Sequence, residues 1–84
     1  MYEILLERSA EKDLRKLPSS SFKIIIEEIK LLTENPHPSG SKKIITAEDF
    51  WRIRVGNYRI IYEINETDKI IKVYKIKHRK DVYR

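Results

Sequence analysis

The chain has 84 residues, 40% of them hydrophobic and none of them cysteine, with 18 Lys/Arg against 13 Asp/Glu for a net charge of +5. That length predicts a single domain over 1–84 whose core is built from two packed layers, and the lack of thiols excludes disulfides, thiolate nucleophiles and cysteine-ligated metals. No apolar run approaches the length of a membrane span and the first residues lack the zones of a secretory signal, so a soluble, cytoplasmic protein with no membrane role is expected.

Y-E-I-L-L-E, Tyr2 to Glu7, reads as a short strand. Ser9 then reads as the N-cap of a helix that places Glu11 four residues before Arg15 on its exposed side and ends near Leu17, because Pro18 disfavours helix in the residue before it. Pro18 and three serines give a fresh helix start. Phe22, Ile25, Ile26, Ile29 and Leu32 fall on one face of this second helix; Ile24 and Leu31 lie on a flank that is expected to pack on the first helix, with a groove for a partner's helix as the alternative. The loop N-P-H-P-S-G-S, Asn35 to Ser41, separates this helical half from a half with period two. There Lys43 to Thr46 reads as a short strand, Phe50 to Val55 and Tyr58 to Ile64 as stronger ones, and Asp68 to Lys77 as the last. With the short Lys43–Thr46 strand left out, the order β-α-α-β-β-β predicts an α+β fold: a small, antiparallel-rich sheet with two helices packed on one face and the other face open.

Gly56-Asn57 between two alternating runs is a two-residue hairpin signal, with Gly56 supplying a positive φ. The register that follows pairs Val55 with Tyr58, Arg54 with Arg59, Ile53 with Ile60, Arg52 with Ile61 and Trp51 with Tyr62. Trp51, Ile53, Val55, Tyr58, Ile60 and Tyr62 then face the helices, while Arg52, Arg54 and Arg59 share the open face. Opposed like charges cost a few tenths of a kcal/mol to about 1 kcal/mol, so this placement implies an anion over them. Glu63, next along that face, is able to neutralise only one. The last strand gives conflicting parities: Tyr74 and Ile76 read as inward, sending Lys75, Lys77 and Arg79 outward, whereas Ile71 and Val73 argue the other way. A central strand partly buried on both faces would reconcile them.

Residues 1–41 carry six Lys/Arg against seven Asp/Glu, and residues 42–84 carry twelve against six. The positive field belongs to the strand half, for which a phosphate backbone, an acidic protein or an anionic surface would each be a complement. Arginine favours phosphate, since its planar guanidinium donates in bidentate fashion and stays charged. P-loop, zinc-helix, nucleophile-elbow and dinucleotide motifs are absent, no cofactor or metal is expected, His37 reads as a loop residue, and Glu48 and Asp49 as neighbours that point apart. What remains is chemistry run on cations and a phenol. RNA brings its own nucleophile, the 2′-hydroxyl, and needs positioning, charge stabilisation by groups such as Arg54, Arg59 and Arg79, and a proton carrier such as Tyr83 or His78.

Taken together, K-D-L-R-K-L-P, F-W-R-I-R-V-G-N-Y-R-I-I-Y-E-I and V-Y-K-I-K-H-R-K-D-V-Y-R resemble the RelE/ParE toxin superfamily, and its RelE branch in particular, over essentially the whole chain. The resemblance implies a toxin of a type II toxin-antitoxin pair that cleaves mRNA, commonly on the ribosome, leaving a cyclic phosphate and a 5′-hydroxyl. It implies Arg54, Arg59, Arg79 and Tyr83 as catalytic residues, with Arg52, Lys42, Lys43, Lys75, Lys77 and His78 as RNA-binding ones. A small acidic antitoxin is the implied partner, with operator DNA contacted only through that complex. Where the family has a lysine proposed as general base this chain has Arg54, which does not become neutral, so proton transfer falls to His78, Tyr83, the RNA or the ribosome. Two rival readings are a ParE-like inhibitor of DNA gyrase and a nucleic-acid-binding module without chemistry.

Overall fold

The structure, a computed structural model, describes residues 1–44 and 49–82, the last two of these by backbone only. It is α+β. The elements are β1 (Glu3–Leu6), α1 (Arg8–Arg15), α2 (Ser19–Leu31), β2 (Lys42–Lys43), β3 (Phe50–Val55), β4 (Tyr58–Asn65), β5 (Ile70–His78) and a four-residue helix α3 (Arg79–Val82). One five-stranded sheet has the order β1-β5-β4-β3-β2, with β1 parallel to β5 and the other neighbours antiparallel. The part of the expected second strand beyond Ile44 lies outside the described residues, as does Glu48. Among the described residues no helix is long and apolar enough to cross a membrane.

Both helices pack on one face of the sheet, α1 over β5 and α2 over β3. The core joins Ala10 and Leu14 of α1 and Ile25 and Ile29 of α2 to Ile53, Val55, Ile60, Tyr62, Ile64, Ile71, Val73 and Ile76 of the strands. Trp51 and Tyr58 pack against it half-buried, so all six residues assigned to this side of the hairpin lie there. Tyr62 is fully buried, its hydroxyl donating to the Pro36 carbonyl at 2.8 Å, and burial pushes its phenol up to about 12. That bond ties the loop between the helical and strand halves to the sheet.

Four helix expectations need correction. Ser9 is not an N-cap: α1 begins at Arg8 behind the N-cap Glu7, two residues earlier than a Ser9 cap requires, and the Ser9 hydroxyl donates to the Tyr74 carbonyl at 2.5 Å. The helix ends at Arg15, two residues before Leu17, with the expected Glu11–Arg15 pair at 3.7 Å. Because α1 makes only about two turns, it leaves the flank of α2 uncovered, and Ile24 and Leu31 are 56% and 59% exposed. Phe22, assigned to the buried stripe, is 41% exposed at the first turn of α2; Ile25, Ile29 and Leu32 bury as the spacing requires.

The parity conflict in β5 resolves as a β-bulge. Ile61 pairs with Lys75 but Tyr62 pairs with Val73, so Tyr74 has no partner in β4 and the alternation flips across it. Ile71 and Val73 before the bulge and Ile76 after it all reach the core. Tyr74 itself stands on the open face, contrary to expectation, with its ring 4.9 Å from Phe50 and its hydroxyl 3.4 Å from Glu63. Desolvation and then the Glu63 carboxylate raise its pKa.

Candidate nucleic-acid interface

The hairpin that carries the site has the expected register at every pair, including Arg54 opposite Arg59. Gly56 makes it possible with φ +58°, the left-handed region that glycine enters without penalty. On the open face β3 presents Arg52 and Arg54 and β4 presents Arg59. The bulge then turns Lys75 and Lys77 of β5 to the same side, opposite Ile61 and Arg59. Without the extra residue at Tyr74, Ile71 and Val73 would set the parity and both lysines would face the helices.

Two recesses flank the Arg54–Arg59 pair. One, of about 140 Å³, is lined by Gly40, Lys42, Arg52, Ile53, Arg54 and Arg59. The other, on the α3 side, is lined by Arg54, Asn57, Tyr58, Arg59 and Arg79. Arg79 arrives there because its backbone N–H donates to the Asn57 carbonyl at 2.6 Å, which fastens the start of α3 to the hairpin turn. Ion pairs among the described residues join Glu11 to Arg15, Glu66 to Lys69 and Glu7 to Lys72; none of these takes up Arg52, Arg54, Lys75, Lys77 or Arg79. Glu63 is engaged by Tyr74. The arrangement is a concave cationic surface on rigid strands, with guanidinium groups on β3, β4 and α3, and suits a ligand that presents several anionic oxygens. Among the described residues no group of three His, Cys, Asp or Glu is placed to hold a metal ion.

The family described as "ParE toxin of type II toxin-antitoxin system, parDE" matches residues 4–83. Toxin RelE3 of Methanocaldococcus jannaschii is 35% identical over 96% of this chain and 94% of its own length. The archaeal RelE in the RelE-RelB complex from Pyrococcus horikoshii OT3 superposes with a TM-score of 0.83 at 31% identity, covering 93% of this chain and 94% of that one. The RelB-RelE antitoxin-toxin complex from Methanococcus jannaschii gives a TM-score of 0.71 at 34% identity, covering 94% of each chain. This chain belongs to the RelE/ParE toxin superfamily. It is a RelE-like toxin of the type II class.

Of the residues that the sequence nominated in this toxin, Arg52, Arg54, Arg59, Arg79, Lys42, Lys75 and Lys77 lie on or around the open face. Two do not join them. Lys43 pairs with Trp51, and so projects from the sheet on the helix side. His78 pairs with Tyr58, its ring meeting the Tyr58 ring edge-on at 5.0 Å on that same side. Tyr83 lies outside the described residues. His37 has a packing role, its ring 4.4 Å from Trp51. Asn57 is the contributor that the sequence reading missed. It entered there only as a turn residue, and its carbonyl's hold on Arg79 is a contact across 22 positions that no local pattern announces.

Proposed function

We propose that this toxin is an mRNA endonuclease acting on the ribosome, and that a RelB-like antitoxin, small and acidic, silences it by covering the basic face. The observation that carries the reading is the convergence of Arg52, Arg54, Arg59 and Arg79 around two adjoining recesses on the open face. In the reaction, the 2′-oxygen of one nucleotide attacks the adjacent phosphorus. The 2′-O–P bond forms, the P–O5′ bond breaks, and a 2′,3′-cyclic phosphate and a 5′-hydroxyl result. Arg54 and Arg59 stabilise the negative charge that builds on the phosphoryl oxygens, and Arg79 holds the phosphate from the α3 side. Arg54 stays charged and takes no proton. With His78 turned to the helix side, proton removal from the 2′-hydroxyl falls to Tyr83 or to a group of the RNA or ribosome. The displaced 5′-oxygen is protonated as it leaves.

Primer extension on a translated message tests this. Codon-linked cuts are expected from the wild type, to persist in chelator, and to fall by at least about a hundredfold in Arg59→Ala and Arg79→Ala, the scale of losing one charge-stabilising donor. Arg79→Ala is expected to melt like the wild type, and Arg59→Ala to stay folded with a stability within about 1 kcal/mol of it. Cuts that need added metal, or that survive both substitutions, count against the reading. The match to the ParE description favours one second reading, inhibition of DNA gyrase. A supercoiling assay in which the toxin blocks gyrase while messages stay intact would select it. RNA binding with neither effect would leave a binding module.

A further inference from the structure

His78, nominated for RNA contact or proton transfer, has another task in the fold. It is the last residue of β5, and Tyr58 holds its ring edge-on with the planes at 90°. Its Nδ1 accepts a hydrogen bond from the backbone N–H of Lys80 at 3.1 Å. A ring nitrogen that accepts carries no proton, so this bond requires the imidazole in the form with its hydrogen on Nε2. Two successive amides after β5 are therefore held: Arg79 N–H by the Asn57 carbonyl, Lys80 N–H by His78. This is N-capping by a side chain, and the element capped is the one that presents Arg79 to Arg54 and Arg59.

We propose that neutral His78 is a positioning residue: by holding the Lys80 amide it closes the turn into α3 and fixes Arg79 at its recess. Protonation at Nδ1 replaces the acceptor with a donor facing a donor, and the turn opens. Around the ring are Tyr58 from β4, in edge contact with it, and Asn57, Arg79 and Lys80, which line one recess with it; α1, packed on β5 from the same side, brings the Asp13 carboxylate to the Ile76 N–H two residues back, and Lys77 lies on the opposite face. Among the described residues no carboxylate pairs with it. Acid therefore weakens anion binding at this face. An extra surface cation would do the reverse, and that difference in sign makes the idea testable.

The inference rests on the basic face being an RNA-binding surface. The probe is a short, fluorescein-labelled 2′-O-methyl RNA, which lacks the nucleophile for cleavage, titrated by anisotropy at constant ionic strength between about pH 8 and about pH 5. Wild-type affinity is expected to fall about fivefold on acidification, the factor that loss of one helix cap allows. His78→Ala should be weaker by a similar factor throughout. His78→Asn, whose side-chain oxygen caps at any pH, should recover the neutral-pH affinity and show a flat profile. Thermal melts establish that each variant is folded. An affinity that rises or stays level as the wild type is acidified overturns the inference, as does a His78→Ala variant that binds like the wild type or a His78→Asn variant that binds like His78→Ala. In the unliganded toxin the Lys80 amide resonance should move with the His78 ring titration, and independence of the two overturns it whatever the RNA does. Failure of the wild type to bind RNA at low salt, with the Lys80 amide tracking His78, instead overturns the proposed function and leaves the turn as described.

Discussion

Arg54 and Arg59 face each other across the hairpin on the solvent side of the sheet. Directly opposed side chains there have Cβ atoms ~4.5 to 5.5 Å apart, and like charges so placed are unfavourable by up to about 1 kcal/mol. Arg54→Gln, similar in length and uncharged, should therefore stabilise the fold by about 0.5 kcal/mol at low salt while weakening RNA binding. The gain should fade by about 1 M salt, where screening removes the repulsion. Urea melts at the two ionic strengths measure it. Equal stability of variant and wild type at low salt would mean that contacts to Arg59 already offset the repulsion.

The bulge in β5 makes the same point for an element. β1 stops at Leu6, so beyond Val73 the β5 edge has no strand beside it, and α1 takes over: Ser9 donates to the Tyr74 carbonyl and the Asp13 carboxylate accepts the Ile76 N–H at 2.9 Å. Asp13→Ala removes that acceptor from a half-buried amide and should destabilise by about 1 to 3 kcal/mol. Asp13→Asn keeps an acceptor there and should cost less. If the two variants melt alike, water satisfies the amide and the bulge does not depend on α1. These contacts also mark the limit of what the sequence reveals. The Gly56 hairpin was legible to the residue, since a two-residue turn and period-two alternation leave one register. The Ile71/Val73 against Ile76 conflict was visible too, but its resolution was not, because a bulge depends on what can satisfy the displaced backbone groups, and those partners lie 63 and 65 positions away on a helix. Ser9 misled for the same reason: a hydroxyl near a helix start satisfies the local capping rule and a distant carbonyl equally well. His78 was legible as chemistry and illegible as geometry, since its side of the sheet follows from the bulge.

Across the whole molecule, the two layers divide the charge. Residues 42–84 hold twelve of the 18 Lys/Arg, and the half with the two long helices is close to neutral. The open face of the sheet therefore carries the positive field, while the helices, with alternating charges such as Glu11 and Arg15, contribute little of it. Binding of single-stranded RNA should be driven largely by release of counterions, with log affinity falling against log salt at roughly −0.7 per phosphate neutralised. If Arg52, Arg54, Arg59 and Arg79 each meet one phosphate, the slope is about −3, and Arg52→Ala should bring it nearer zero by about 0.7. Lys23→Ala, an exposed change on α2, should leave the slope where it was. Anisotropy titrations of a non-cleavable RNA across a range of salt give all three slopes. Equal shifts from Arg52→Ala and Lys23→Ala would mean that the RNA senses only net charge, and the arginine face would lose its standing as a site. A shift confined to Arg52→Ala places the phosphates on the open side of the sheet, where the hairpin register and the β5 bulge have already assembled the cations.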